Sequence, residues 1–315
     1  MHSMKLQFEC MSAKDAVWIH DTDECMEVIK AMKRQEMKYS CCDYLNQADP
    51  TSASVAINEE CRSRMCEWCY QTVDYFSLSR SSVHIAMSCL DRFLTTPRGK
   101  KYISNRSLYQ LACIACLYVT IKVHEPVELG LSVLVELCRG AYSTKQILEA
   151  EQSILSALDW AINPPSPKAF IHQYITFLPK TISQETRNQI LDLACYQADL
   201  ALSDYKLGVL FSPSKVAFAS ILNAIAYIPS SSQFLSTDLD EIDLSLEMLD
   251  YCEEESEQIQ YALNVMSIQL NDTKLPANFY RQFERQSKRI KRSNPGLQKC
   301  TFPPRSMSPV AVFNR

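Results

Sequence analysis

Two pairs of cysteines in this chain have the spacing of metal ligands. They are Cys66 with Cys69 and Cys113 with Cys116, and two residues separate the members of each pair. Four thiolates with this spacing bind a structural zinc ion when each pair lies on a glycine-containing turn. Here both pairs fall inside helical patterns among apolar neighbours. The sequence therefore predicts core thiols, with no bound metal and no other cofactor.

No other set of residues forms a convincing catalytic site. The histidines at positions 20, 84, 124 and 172 lie on different predicted elements, and none accompanies a nucleophile. The chain contains only 5 glycines, and they are scattered, so no phosphate-binding glycine loop is present. We therefore predict that the protein is not an enzyme.

Composition indicates a globular protein from a reducing compartment. The net charge is −4, so no overall basic field attracts nucleic acid, and we expect no direct nucleic-acid partner. The first residues lack a secretory signal, and the 14 cysteines suit small core positions, so we expect the nucleus, the cytoplasm or both. The longest apolar run, 108–121, is shorter than the roughly 20 residues of a membrane helix. It predicts a buried core helix and no membrane partner.

Helical periodicity dominates the chain and predicts an all-α fold. An amphipathic helix over 18–37 places Cys25, Ile29, Met32 and Glu36 near one face. Two sets of five helices follow, and the prolines at 164, 165 and 167 separate them because they cannot continue a helix. The first set is predicted over 59–76, 81–94, 106–123, 131–139 and 144–160, and the second over 168–178, 183–203, 213–228, 239–251 and 254–270.

These elements give four segments. Residues 1–56 form the N-terminal helix and a connection, 57–162 the first five-helix bundle, 163–272 the second, and 273–315 a basic tail predicted to be disordered. The tail offers two short motifs. One resembles a nuclear-import signal and consists of Lys288, Arg289, Lys291 and Arg292. A charged, solvent-exposed segment without that function would have the same sequence pattern. Ser308 precedes a proline, as in a proline-directed phosphorylation site.

Several motifs at matching positions resemble those of the cyclin family. In the first bundle these are Arg62, Trp68, Phe76 and the run Asp91-Arg92-Phe93-Leu94, followed by a helix of small residues that ends at Lys122. In the second, a helix runs into Asp204-Tyr205 and another begins at Pro213. The resemblance covers most of the chain and implies two tandem cyclin boxes. Residues 36–39 with EWCYQ, KVHEP and NPP further resemble the divergent cyclins of diatoms.

The resemblance implies a surface that binds a cyclin-dependent serine/threonine kinase. Its residues in this chain would be Lys122, Val123, Glu125, Glu151, Leu155 and Trp160. Glu151 and Leu155 share a helix face, so with Lys122 they could place a charged pair beside an apolar strip. From the residues alone, ordinary solvated charges at Lys122 and Glu151 with Leu155 and Trp160 in the core are the simpler arrangement, and the resemblance favours the binding surface instead.

The family also docks substrate or inhibitor peptides of the Arg-x-Leu type in a groove. The matching positions here are Arg64, Met65, Trp68, Gln71 and Gln110. Arg64 replaces a family isoleucine and Cys61 a methionine, so we expect a more positive groove that binds such peptides poorly. A plain core tryptophan explains Trp68 as well.

The function implied is a regulatory cyclin that binds and activates a cyclin-dependent kinase and so controls cell-cycle progression. Two alternatives stay open from the sequence. A transcription factor of the IIB type shares the tandem fold but binds DNA, and an all-α scaffold could keep the fold without activating a kinase.

Overall fold

The computed structural model describes residues 22–46, 57–127, 129–227 and 253–272. Within these ranges every regular element is a helix and no strand occurs, so the all-α fold class is confirmed. Several predictions lie outside the described residues: the helix over 239–251, the basic tail with Lys288, Arg289, Lys291 and Arg292, and the site at Ser308.

The first bundle is built around one central helix. Its helices are α2 (Glu59–Tyr75), α3 (Ser81–Thr95), α4 (Lys100–Ile103), α5 (Arg106–His124), α6 (Leu131–Leu137) and α7 (Thr144–Ala157). Helix α5 is buried along almost its whole length, from Tyr109 to Ile121. Asn58, Asn105 and Ser143 each accept a hydrogen bond from the first turn of the helix that follows, which fixes where α2, α5 and α7 begin. The four-residue helix α4 was not predicted.

Helix α5 alone among the described helices is long and apolar enough to cross a membrane. However, 72% of its apolar stretch is buried inside the fold. It contacts α3, α4 and α7, which is the environment of a core helix.

The second bundle begins directly after the proline segment. Its helices are α8 (Pro167–Tyr174), which continues as a 3₁₀ turn (Ile175–Phe177), α9 (Gln184–Ser203), a π-helical turn (Lys206–Leu210), α10 (Pro213–Tyr227) and α11 (Glu253–Asp272). Ser166 caps α8 by accepting from the Ala169 N–H at 3.2 Å, with Pro167 in the first turn, where proline fits. Helix α10 lies at the centre and contacts α8, α9 and α11.

Helix α1 (Thr22–Met37) packs on the second bundle although it precedes the first. Cys25 and Ile29 are buried in the same apolar cluster as residues of α8, α9 and α10. At its C-terminal end, the carboxylate of Glu36 accepts from the Ser214 N–H at 2.7 Å, and Gln35 Nε2 donates to the Asn163 carbonyl at 2.9 Å. The predicted apolar face of α1 is therefore the face that docks it.

A buried carboxylate joins the two bundles. Asp199 on α9 accepts from Tyr70 of α2 at 3.1 Å and contacts His84 Nε2 of α3 at 2.9 Å. Lys168 of α8 lies 2.7 Å from the same carboxylate, and Arg80 lies 3.3 Å from its second oxygen. Donors from both bundles thus converge on one side chain. The exact limits of the four predicted segments stay predictions.

Candidate functional site

Lys122 and Glu151 form an ion pair at the surface of the first bundle. Lys122 lies in the last turn of α5 and Glu151 on α7, and Nζ is 2.6 Å from Oε1. The Lys122 side chain is 37% exposed and that of Glu151 only 11% exposed. The ammonium also lies 4.9 Å from the ring centre of Tyr118, one turn earlier on α5. The two residues that the sequence predicted as partners are in contact.

The turn after Lys122 divides the next predicted residues into two groups. Val123 is 56% exposed. Glu125 instead turns toward α3, where its Oε1 accepts from the Ser79 N–H at 3.0 Å and from the Ser82 hydroxyl. Its carboxylate therefore joins the end of α5 to the start of α3. His124 Nε2 lies 3.5 Å from the Ile162 carbonyl, which brings the end of α5 close to the segment after α7.

The prediction that Trp160 continues the helix of Leu155 is wrong. Helix α7 ends at Ala157, and Asp159 and Trp160 both adopt left-handed backbone conformations with φ of 47° and 58°. This reversal turns the Trp160 side chain outward, and it is 71% exposed, whereas Leu155 is buried. Leu155 and Trp160 therefore share neither an apolar surface strip nor the core, because Leu155 is buried and Trp160 is exposed.

Two further exposed apolar residues, one in the turn after α5 and one on α7, were not predicted. Val127 follows Val123 in the turn after α5, and Leu148 lies on α7 three residues before Glu151. The spacing of Leu148, Glu151 and Leu155 places them on one helix face and could have indicated Leu148. We name the surface of Lys122, Val123, Val127, Leu148, Glu151 and Trp160 the α5–α7 face. It combines one charged pair with exposed apolar side chains, an arrangement suited to binding another protein.

The residues predicted for peptide docking do not line an open groove together. Met65 and Trp68 are fully buried in the core of the first bundle, and Gln110 is buried and accepts from the Tyr142 hydroxyl at 2.6 Å. Only Arg64 and Gln71 reach the surface, where they pair with Glu60 and Glu67 on their own helix. The core interpretation of Trp68 is the one that the structure shows.

All four cysteines of the two spaced pairs are buried on α2 and α5. Cys69 Sγ and Cys113 Sγ lie 3.6 Å apart, and burial raises the pKa of Cys66 to about 12. Metal binding needs thiolates, which burial disfavours here. Among the residues that the structure describes, no group of three or more histidine, cysteine or acidic side chains is placed to hold a metal ion.

Comparisons with known proteins agree on one family. The family model of the cyclin N-terminal domain matches residues 27–163. Cyclin-B1-1 of Arabidopsis thaliana is 31% identical over 168 residues, which cover 53% of this chain and 37% of that protein. The G2/mitotic-specific cyclin-2 of Antirrhinum majus is 30% identical over 169 residues, covering 53% and 36%. The matches to these two relatives span less than half of their length.

A solved structure extends the likeness beyond the first bundle. The viral cyclin from herpesvirus saimiri superposes with a TM-score of 0.58 at 18% identity, and the match covers 76% of this chain and 96% of the viral one. At that identity the match defines the class of fold, a tandem all-α protein with cyclin architecture. The family model and the curated relatives support the same assignment from the sequence: residues 27–163 match the cyclin N-terminal domain, and both relatives are named as cyclins.

Cyclins are regulatory subunits and not enzymes, in line with the predicted class of function. The matches do not favour the DNA-binding or scaffold alternatives. The finer resemblance to diatom cyclins stays a prediction.

Proposed function

We propose that this chain binds a cyclin-dependent serine/threonine kinase through the α5–α7 face and switches it to its active state. The observation that carries the proposal is the contact of 2.6 Å between Lys122 and Glu151 at the positions that the family resemblance gives to the kinase-binding pair. One of the two relatives is named as a G2/mitotic-specific cyclin, which supports a role in cell-cycle progression.

The chemistry of the face suits a helix of the kinase. Glu151 is mostly buried and its carboxylate is held by Lys122, so the pair presents fixed hydrogen-bonding groups. Val123, Val127 and Trp160 supply exposed apolar surface around it. A large aromatic anchor beside an ordered charged pair is typical of the few residues that dominate binding energy at protein interfaces.

Activation requires more than this pair. Kinases need their own Lys–Glu ion pair and phosphate-binding elements assembled before they transfer phosphate. Moving a kinase from about 1% to about 99% active requires roughly 5.5 kcal/mol of preferential binding to the active form. A broad interface that includes the apolar residues can supply this energy, whereas one partly exposed ion pair contributes only ~0–1 kcal/mol.

We further propose that the complex acts in the nucleus, the cytoplasm or both. Substrate and inhibitor peptides would be recruited by a surface other than a groove at Met65 and Trp68, since both side chains are buried.

The test is an affinity pull-down from lysate of the source cells with the full chain as bait. The eluate is analysed by mass spectrometry and by phosphorylation of added histone. We expect a cyclin-dependent kinase and its activity with the wild type, and a strong loss of both with Lys122→Ala or Glu151→Ala. Leaving one charge unpaired in a dry interface costs on the order of 2–5 kcal/mol.

Lys145→Ala is the matched control, because Lys145 pairs with Glu149 on the same helix α7 but both side chains are well exposed. It should retain kinase and activity. If wild type enriches no kinase, the proposed function is wrong. If it enriches an inactive kinase, the chain is a scaffold rather than an activator.

A further inference from the structure

A cleft opens between the two bundles on the side where α1 crosses from one to the other. Its volume is about 480 Å³, within the usual size range of ligand pockets. Its walls are the C-terminal half of α1, the proline segment 164–167, and residues 207–216 leading into α10. We name it the inter-bundle cleft. It is separate from the α5–α7 face, none of whose residues line it.

The walls of the cleft are held in place by hydrogen bonds between distant parts of the chain. Gln35 fixes α1 to the proline segment through the Asn163 carbonyl at 2.9 Å, and Glu36 fixes it to the start of α10 through the Ser214 N–H at 2.7 Å. A site that is formed before binding loses less conformational entropy when a ligand enters.

The charges that line the cleft leave an excess of positive charge. Three cationic side chains, Lys33, Arg34 and Lys215, face two carboxylates, Glu36 and Asp91. Both carboxylates are already engaged: Asp91 is bound by Arg62, and Glu36 by the Ser214 N–H. Lys33 and Lys215 both lie close enough to Glu36 to interact with its carboxylate, so an anionic group entering the cleft meets three cations, two of which share one carboxylate.

The cleft also offers apolar surface. Pro164 and Pro165 form part of its wall, and Met37 at the end of α1 is 70% exposed beside it. Leu210, in the π-helical turn, is a second exposed apolar residue on the wall. A peptide with aliphatic side chains would bury them against Met37 and Leu210.

We propose that the inter-bundle cleft is a docking site for a short acidic peptide of a partner protein, in which aliphatic side chains alternate with aspartate or glutamate. The aliphatic side chains contact Met37, Leu210 and the prolines, and the carboxylates contact Lys33, Arg34 and Lys215. Recognition by this site is independent of kinase binding at the α5–α7 face.

The test measures binding of a fluorescein-labelled peptide, Asp-Glu-Leu-Asp-Glu-Leu-Asp-Glu, to the full chain by fluorescence anisotropy. We expect saturable binding that weakens as salt is added, because the contacts are partly electrostatic. Lys215→Glu combined with Arg34→Glu should raise the Kd at least about tenfold, since like charges then face each other. Met37→Ser combined with Leu210→Ser should also weaken binding.

Lys30→Glu is the matched control on α1. Lys30 is exposed, pairs with Glu27 and does not line the cleft, so the same change of charge there should leave the Kd within about twofold. Thermal unfolding followed by circular dichroism confirms that each variant is folded before its affinity is compared.

Four results would overturn the proposal: no saturable binding up to about 1 mM, equal weakening by Lys30→Glu, equal affinity for a peptide with serine in place of leucine, and equal affinity for single-stranded oligothymidine. The last two would indicate a general site for polyanions. None of these outcomes depends on whether a kinase binds.

Discussion

The guanidinium of Arg62 donates two hydrogen bonds to the carboxylate of Asp91, from Nε to Oδ1 at 3.0 Å and from Nη2 to Oδ2 at 2.8 Å. The third nitrogen, Nη1, donates to the Leu202 carbonyl of the second bundle at 2.7 Å, and the Tyr44 hydroxyl donates to Asp91 at 2.8 Å. Both charged side chains are almost completely buried. One ion pair therefore connects the two bundles and the segment after α1.

Removing one partner of this pair should strongly destabilise the fold. Arg62→Met leaves the Asp91 carboxylate buried without its cation, a change that typically costs about 3–5 kcal/mol. We expect that loss in the free energy of unfolding measured by urea denaturation. Arg64→Met is the control, because Arg64 pairs with Glu60 at the surface and its loss should cost less than about 1 kcal/mol. Equal losses for both variants would contradict the assigned role of Arg62.

Stability should fall on acidification because of the junction at Asp199. Burial alone would raise the pKa of Asp199, but Lys168 and His84 outweigh it and hold that pKa well below its ordinary value. Burial lowers the pKa of His84. Both groups therefore bind fewer protons in the folded than in the unfolded state, so each contributes stability above its unfolded pKa, about 6.5 for histidine and about 3.9 for aspartate.

We expect the free energy of unfolding to decrease as the pH falls below about 6.5, and to decrease further below about 4 as the pH approaches the folded pKa of Asp199. Urea denaturation at a series of pH values measures this. Asp199→Asn should be less stable than wild type at pH 7 and should lose less additional stability between about pH 5 and pH 3. Parallel curves for the two proteins would show that Asp199 does not carry the effect.

Gly99 should be intolerant of any side chain. A Cβ atom there would lie 1.9 Å from the Phe93 carbonyl oxygen and 2.8 Å from the Leu94 Cα, both backbone atoms that cannot easily move. Gly99→Ala should reduce the unfolding free energy by about 1–3 kcal/mol, as overpacking typically does. Gly130→Ala is the matched control, since its Cβ would meet only the Ser132 hydroxyl at 3.7 Å. Thermal unfolding of both variants measures this, and equal loss of stability for Gly99→Ala and Gly130→Ala would contradict the prediction.

Glu125 should stabilise the fold by joining the end of α5 to the start of α3. Its carboxylate accepts from the Ser79 N–H and the Ser82 hydroxyl, so Glu125→Ala should cost about 0.5–1.5 kcal/mol of stability, as the loss of a hydrogen bond typically does. Ser82→Ala should have a smaller effect, and the double variant should lose less than the sum of the two. Additive losses in urea denaturation would mean that the two residues do not act together.

The helices were predictable because their determinants are local. The capping pair Ser143 and Gln146 and the proline at 213 mark helix starts in the sequence, and the structure has helices that start there. The end of α7 was not predictable in the same way. No glycine marks it, and Asp159 and Trp160 take left-handed conformations that non-glycine residues rarely adopt.

The sequence predicted four residues of the α5–α7 face, which are Lys122, Val123, Glu151 and Trp160, but neither Val127 nor Leu148. Lys122 and Glu151 were predicted as partners from the family resemblance, and their opposite charges favour the contact that the structure has. Whether Trp68 is buried or lines a groove depends on neighbours from other helices. The apolar periodicity of its own helix is the same in both cases and cannot distinguish them. Likewise, the spacing around Glu125 gives no sign that its partner would be α3, because that contact joins residues 46 positions apart.

Helix α1 is synthesised before the helices whose surface buries Cys25 and Ile29. That surface belongs to α8, α9 and α10, and the last anchor, Ser214, is 178 residues beyond Glu36. At a synthesis rate of about 5–20 residues per second, the apolar side of α1 stays uncovered for on the order of ten seconds or more in the nascent chain. A chaperone that shields an amphipathic helix during translation should therefore increase the amount of this protein that is recovered in folded form.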